Sequence, residues 1–356
     1  MDEIKALLKR KNIEISLRRY GIDALGAMAQ GLFCSLLIGT IIKTLGQQLG
    51  IPFLVDIGTY AAAMSGPAMA VAIGYALKAD PMVIYSLAAV GWAANTEGGA
   101  GGPLAVLLIA IIAAEFGKIV SKETKVDILV TPAVTILVGV SLAKLIAPPI
   151  GEVARAFGMV IDQATKLQPF WMGIAVSVLV GIALTLPISS AAICTVFGLT
   201  GLAGGAAVAG CCANMVGFAI LSFRENRWSG LVSQGIGTSM LQMPNIVRNP
   251  RIWLPAILTS AITGPLATCL FKLEMNGAPV SSVMGTCGLV GQIGVITGGL
   301  TPSEEAIAKG AAAITPDMMD WTGLILISFV LPALLCWLFG LLFRRIGWIK
   351  EGDLKL

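Results

Sequence analysis

The chain has 356 residues, of which 56% are hydrophobic and 12% are charged, with a net charge of +4 and no histidine. A soluble globular domain carries about 25% charged residues, so this composition predicts that lipid surrounds most of the chain. The missing histidine excludes Ser-His and Cys-His nucleophile pairs, imidazole proton relays and a phosphohistidine carrier. The basic residues stand in short groups between apolar segments, a pattern that does not indicate binding to nucleic acid.

The N-terminal segment 1–22 combines six basic residues with apolar residues at helical spacing. This pattern predicts an amphipathic helix at the cytoplasmic surface of the bilayer. Apolar segments long enough to cross as helices, about 20 residues each, follow at 24–46, 54–77, 127–147, 170–187, 252–271 and 321–343.

Four further stretches are apolar but interrupted by glycine, at 81–120, 188–222, 229–245 and 283–299. Irregular backbone cannot face hydrocarbon, because each unpaired N–H or C=O group there costs several kcal/mol. We therefore expect these stretches to form hairpins or re-entrant loops inside the protein. The predicted fold is an all-α integral membrane protein, a polytopic bundle of about ten transmembrane helices with re-entrant hairpins.

The segment 149–168 divides the predicted bundle. Val153 and Phe157 fall on one helical face, and Glu152 and Arg155 fall on the other, which predicts an amphipathic helix in the membrane interface. This helix would connect a first transmembrane half, 23–148, to a second half, 169–343, followed by a cytoplasmic tail, 344–356. The positive-inside rule places most of the 24 basic residues, and with them both termini, in the cytoplasm.

The seven cysteines show no CxxC spacing and all lie in apolar or Gly-rich stretches. They are predicted to be buried packing thiols rather than disulfides or metal ligands. The sequence accordingly predicts no metal site, no cofactor and no catalytic residue of its own.

The polar cluster Asn95-Thr96-Glu97 stands between a short apolar segment and a glycine-rich turn. A carboxylate at membrane depth is costly and normally faces a cavity and a partner, so we expect Glu97 to accept hydrogen bonds from solute hydroxyls, with Asn95 and Thr96 beside it. The alternative is a wet surface loop in which the glycines form only a flexible turn.

Two later segments resemble each other, GIGTSMLQ at 235–242 and GTCGLVGQ at 285–292, because each places a glutamine seven residues after a glycine. Amides can both donate to and accept from a polar solute, and broken helices use such glycines to free backbone groups. Close packing of helices through small residues is the alternative, although it explains the glycines better than the glutamines. The predicted binding residues here are Gln234, Thr238, Ser239, Gln242, Asn245, Thr286 and Gln292.

Long motifs occur along nearly the whole chain: MAQGLFCSLLIGTII (28–42), EFGKIVSKETKVDILVTPAVTI (115–136), LTLPISSAAI (184–193), CCANMVGFAILSFREN (211–226) and QGIGTSMLQMPNIVRNPRIW (234–253). They resemble the type-2 EIIC membrane components of the sugar phosphotransferase system (PTS). More narrowly, they resemble its free-standing branch related to the perfringolysin O regulator.

The resemblance implies a permease domain of the bacterial plasma membrane, usually a homodimer, that moves a sugar inward. A cytoplasmic EIIB protein, itself charged by EIIA, would phosphorylate the sugar from a phosphocysteine. In sugar-transporting members a membrane-buried Glu grips the sugar together with His or Asn side chains. The predicted function is therefore a permease for a small polar, sugar-like solute. The alternatives are a phosphorylation-independent secondary carrier of the same fold and a solute-sensing membrane regulator.

Overall fold

The computed structural model describes residues 7–356, which are almost entirely helical. Within that range the β pairing consists of one isolated antiparallel bridge, between Gly201 and Met275. The chain divides into two compact units, one ending at Ala154 and the other beginning at Arg155. The division lies inside the segment 149–168 that was expected to connect two halves. Residues 1–6 of the predicted N-terminal amphipathic helix lie outside the described residues.

The main helices of the first unit are α1 Arg19–Leu49, α2 Pro52–Ala63, α3 Ser65–Ala76, α4 Pro81–Gly98, α5 Gly102–Val120 and the first part of α6 Asp127–Thr165.

The helices α1 and α2 form an antiparallel hairpin. The turn begins at Gly50, whose φ of 65° is the left-handed conformation that ends many helices. A Cβ atom on Gly39 would lie 2.6 Å from the backbone nitrogen of Ala62, so the two backbones approach closely through small residues. The helices α2 and α3 are bent by 48° at their junction. The expected span 54–77 is therefore a bent pair rather than one straight helix.

The helices α4 and α5 form a second hairpin around the turn Gly99–Gly101. Gly99 has φ 49° and ψ −117°, a conformation essentially restricted to glycine. Gly117 near the end of α5 faces Val83 near the start of α4, so the two legs lie side by side along their length. The legs have 18 and 19 residues, or about 27 Å at 1.5 Å per residue, close to the ~30 Å thickness of the hydrocarbon core.

The helix α6 runs without interruption for 39 residues and contains Pro132, Pro148 and Pro149. The expected interfacial helix 149–168 is thus not separated by a break from the expected span 127–147. At 1.5 Å per residue α6 is roughly 58 Å long, about twice the hydrocarbon thickness. Part of it must therefore lie outside the hydrocarbon or run along the interface.

A cluster of polar contacts joins the segment after residue 7 to the ends of α3 and α5. The buried Lys118 Nζ donates to the carbonyls of Asn12 and Leu77, at 2.7 and 3.2 Å, and lies 2.8 Å from Glu115 Oε2. Arg19 Nη2 donates to the same Leu77 carbonyl at 2.6 Å. Arg19 and Lys118 therefore both bind the C-terminal end of α3, where the helix dipole is negative.

The main helices of the second unit, after the end of α6, are α7 Pro169–Thr185, α8 Ser190–Val196, α9 Gly201–Leu221, α10 Phe223–Val232, α11 Met243–Arg248, α12 Pro250–Leu270, α13 Val290–Leu300, α14 Glu304–Ala308 and α15 Met318–Arg345.

The helix α9 is almost completely buried and packs against α7 and α12. A Cβ atom on Gly210 would overlap the carbonyl of Ser177 in α7, and one on Gly264 in α12 would overlap that of Gly173. The stretch 188–222 is interrupted near its central glycines, because α8 ends at Val196 and α9 begins at Gly201, and Gly198 between them has a φ of 57°. Beyond this break α9 is unbroken. Its glycines permit close helix packing rather than a break.

Two segments of the second unit are irregular where glycine-rich breaks were expected. The helix α10 is followed by a π-helical turn, Ser233–Gly237, and a 3₁₀ turn, Ser239–Gln242. The second segment holds the 3₁₀ turns Pro279–Val283 and Cys287–Leu289 before α13.

Six helical stretches of the described chain are long and apolar enough to cross a membrane when Pro81–Val120, which holds α4 and α5, is counted once. The count rises to seven if the bent pair α2–α3 is added as one span. The six stretches include α1, α6, α12 and α15, close to the expected spans 24–46, 127–147, 252–271 and 321–343. The expected span 170–187 corresponds to α7, which has only 17 residues. The all-helical, multi-pass character predicted from the composition is confirmed.

Candidate functional site

The predicted carboxylate cluster lies at the end of α4, next to the hairpin turn. Glu97 is 30% exposed and its carboxylate forms an ion pair with Lys144 of α6. Thr96 is exposed, and its hydroxyl donates to the carbonyl of Trp92 in its own helix at 2.8 Å. Asn95 is half-buried. The charge of Glu97 is thus balanced by Lys144, which was not among the predicted site residues.

Three of the predicted amides form a buried hydrogen-bonded chain in the second unit. Gln242 Nε2 donates to Gln234 Oε1, and Asn245 Nδ2 donates to Gln242 Oε1, both at 2.9 Å. Gln234 Nε2 donates in turn to Ser222 Oγ at 2.8 Å. The irregular turns after α10 bring these side chains together.

Two of these amides, Gln242 and Asn245, and also Asn226 of α10 bind the backbone of residues 349–356, which we call the C-terminal strap. The carbonyl of Leu354 accepts from Gln242 at 3.0 Å and from Asn226 at 2.7 Å, and that of Lys355 accepts from Asn245 at 2.9 Å. In this conformation these amide groups are hydrogen-bonded to protein atoms. A solute would reach them after the strap had moved.

The predicted hydroxyls Thr238 and Ser239 follow the π-helical turn. Thr238 caps the next 3₁₀ turn with its side chain, whereas Ser239 Oγ lies 2.7 Å from Thr185 Oγ1 in α7. Asn214 Oδ1 in α9 accepts from Thr185 at 3.3 Å and from Trp253 Nε1 at 3.0 Å. This buried network connects the irregular segment to α7, α9 and α12.

Of the last two predicted residues, Thr286 lies before α13 and Gln292 lies within it. Thr286 Oγ1 donates to the carbonyl of Gly235 at 2.5 Å, so the two glycine-rich segments contact each other. Gln292 Nε2 donates to Ser328 Oγ at 2.9 Å and to Cys212 Sγ at 3.3 Å. Its Oε1 is buried without a partner in the described chain, which leaves an acceptor available for a donor.

A cavity of about 230 Å³ lies elsewhere in the second unit, between the segment after α12, the end of α13 and the start of α15. Its polar wall contains Lys272, Glu274, Asn276 and Asp320, and Val295, Ile296, Trp321 and Leu324 contribute apolar surface.

Glu274 and Asn276 are positioned together by the backbone around Met275, which pairs with Gly201 at the start of α9. Asn276 Nδ2 donates to Glu274 Oε2 at 2.9 Å. Asn276 is only 1% exposed, and its Oδ1 is buried without a partner in the described chain. A buried unpaired acceptor costs about 1–3 kcal/mol, so a bound donor, whether water or a solute hydroxyl, would stabilise this arrangement.

The opposite wall comes from the N-terminus of α15. Asp320 Oδ2 accepts from the backbone N–H of Asp317 at 2.9 Å in a capping box. Trp321 follows and is 43% exposed, and Lys272 is an exposed cation on the other side. The cavity therefore offers hydroxyl acceptors, a cationic donor and an aromatic surface.

Glu274, Asn276 and Trp321 were not among the predicted site residues. The sequence does contain a signal for Glu274 and Asn276. Both stand in LEMNG (273–277), directly after an apolar span, where a carboxylate and an amide are unusual.

A comparison with protein-family models matches residues 22–356 to the family described as phosphotransferase system, EIIC. No curated protein and no solved structure matches the chain significantly. The family match covers nearly the full length, includes both units and confirms the resemblance carried by the motifs. The chain therefore belongs to the EIIC family of phosphotransferase-system membrane components.

Proposed function

We propose that the chain is a permease for a small polar, sugar-like solute, and that this solute binds in the cavity of Glu274, Asn276 and Trp321. The observation that carries the proposal is the directly bonded Glu274–Asn276 pair, whose buried Asn276 Oδ1 lacks a partner in the described chain. Membership of the EIIC family makes the chain a component of a transport system.

The chemistry of the cavity suits a polyhydroxylated solute. Sugar hydroxyls donate to carboxylate and amide oxygens, which Glu274 and Asn276 supply, and they accept from the ammonium group of Lys272. The indole of Trp321 provides an apolar surface with a polar edge, on which the C–H face of a sugar ring can pack. The EIIC resemblance implies a Glu acting with His or Asn, and this cavity contains a Glu–Asn pair.

The charges of α15 support an outward-facing position for the cavity. Asp320 stands at the N-terminal end of this helix, and Arg344 and Arg345 stand at the other. The positive-inside rule assigns the arginine end to the cytoplasm. The solute would then enter at the Asp320 end and pass inward along the irregular segments that hold Gln242 and Gln292.

The remaining expectations belong to the same proposal. We infer about ten crossings when the hairpin legs are counted, a homodimer in the bacterial plasma membrane, both termini in the cytoplasm, and phosphoryl transfer supplied by EIIB and EIIA partners. The cluster of Asn95, Thr96 and Glu97 is the alternative solute site.

The test is uptake of radiolabelled hexoses, pentoses and hexitols into proteoliposomes that contain the full chain. For the solute that accumulates, Glu274→Gln is expected to lower uptake at least about tenfold, because the neutral amide no longer acts as a charged hydroxyl acceptor. The matched control is Glu305→Gln, an exposed carboxylate of the same unit outside the cavity. Unchanged uptake by Glu274→Gln would reject the site, and loss of uptake in Glu97→Gln instead would favour the alternative.

The same vesicles distinguish the alternative functions. Accumulation that requires EIIB and a phosphoryl donor supports the phosphotransferase permease. Accumulation without them identifies a secondary carrier. Saturable solute binding with no uptake under either condition identifies a sensor and contradicts the transport proposal.

A further inference from the structure

An apolar groove of about 220 Å³ lies between the end of α9, the start of α10 and the last turns of α15. Its walls include Phe223, Trp337 and Leu341, and two arginines, Arg224 and Arg344, stand at its rim. Phe223 packs edge-on against the exposed Trp228, with 5.5 Å between ring centroids. Tryptophan beside arginine at a helix end is typical of the membrane interface.

The two arginines also line a second cavity, of about 340 Å³, on the polar side of the rim. Its other walls include Glu225, Glu351 and Lys355. Three cations and two carboxylates give this cavity a net positive charge. The apolar groove and the polar cavity therefore meet at Arg224 and Arg344 and form one site with an apolar and a charged compartment.

The hydrogen bonds show which groups of the site remain available. Arg344 Nη2 donates to Glu225 Oε1 at 2.8 Å and to the carbonyl of Leu221 at 3.2 Å, which positions its guanidinium. Arg224 is exposed and forms no ion pair in the part of the chain that the structure describes. Glu225 Oε2 is buried and lacks a hydrogen-bond partner there. The unpaired Arg224 and the unpartnered second oxygen of Glu225 therefore line the same cavity.

We propose that this site binds phosphatidylglycerol. An acyl chain would occupy the groove beside Trp337 and Leu341, and the phosphate would lie between Arg224 and Arg344, which match its oxygens geometrically. The glycerol hydroxyls would donate to Glu225 Oε2. The excess positive charge favours an anionic lipid, and the unpaired carboxylate oxygen favours a headgroup that carries hydroxyl donors.

The test is native mass spectrometry of the delipidated full chain in detergent, titrated separately with phosphatidylglycerol, phosphatidylethanolamine, phosphatidylcholine and glycerol 3-phosphate. We expect phosphatidylglycerol to bind at least about fivefold more tightly than phosphatidylcholine, the effect of roughly one well-placed cation. Arg224→Gln is expected to remove this preference. The matched control is Arg345→Gln, which removes the same charge from the residue that follows Arg344 in α15 but does not line the groove. This control should change the affinity for phosphatidylglycerol less than twofold.

Three results would overturn the proposal. Equal losses in Arg224→Gln and Arg345→Gln would indicate diffuse attraction rather than a site. Glycerol 3-phosphate binding as tightly as the lipid would show that the apolar groove is not used. Phosphatidylethanolamine binding as tightly as phosphatidylglycerol would contradict the argument from net charge.

Discussion

The substitution Leu354→Ala tests whether one buried side chain anchors the C-terminal strap. Leu354 is completely buried and packs in a cluster that includes Phe218, Ile246, Ile252 and Phe343. Truncation of a buried leucine to alanine costs about 3 kcal/mol, including the cavity that remains. If the substitution lowers the free energy of local opening of the strap by this amount, the population of chains with an open strap rises by about a hundredfold.

The assay is hydrogen–deuterium exchange measured by mass spectrometry on a peptide that spans the strap. Its backbone N–H groups are protected by bonds such as that from Leu356 N to Asn226 Oδ1, at 2.9 Å. We expect exchange in Leu354→Ala to accelerate by about two orders of magnitude while exchange in the buried helix α9 stays unchanged. The control Leu356→Ala removes the same side chain from a position that is 49% exposed. Equal acceleration in the two variants would refute the anchoring role of Leu354.

Other predictions concern the backbone and the ionic contacts. Gly99→Ala should lower the thermal unfolding midpoint more than Gly50→Ala. The backbone of Gly99, with φ 49° and ψ −117°, has a conformation that only glycine adopts. Gly50 lies in the left-handed region, which alanine enters at a cost of about 1 kcal/mol. Gly210→Ala should prevent correct packing of α9 on α7, since its Cβ would overlap backbone, and is checked by gel filtration in detergent. The Lys122 ammonium holds the pKa of Asp80 below its ordinary value of 3.8. The stability from this carboxylate is therefore present above that pH and lost as the pH falls through the lower folded-state pKa. The thermal midpoint should therefore fall as the pH drops below about 3.8, with a flatter profile in Asp80→Asn.

Small residues show where prediction from sequence succeeded only in part. Glycine in an apolar stretch indicates either a break or a close helix contact, and hydropathy does not distinguish the two. At 99–101 the glycines form a hairpin turn, as expected, whereas in α9 they admit the backbone of α7. The difference lies in what packs against each glycine, and those neighbours are remote in the sequence.

The sequence by itself determined that lipid surrounds the chain and that the fold is helical, because long apolar runs with few charges have no other stable arrangement than membrane-spanning helices. It also determined the EIIC family, because the family motifs extend along nearly the whole chain. It also indicated that Glu97, Gln242 and Gln292 are unusual, since polar groups in apolar segments require partners.

Only the tertiary structure decided what those partners are. Glu97 pairs with Lys144, 47 residues away, and Gln242 donates to a carbonyl 112 residues away. Glu274 and Asn276 gain a cavity because α13 and α15 pack beside them. Hydropathy is a local property of the chain, but the partner of a buried polar group depends on which distant helices meet, and that is decided by packing.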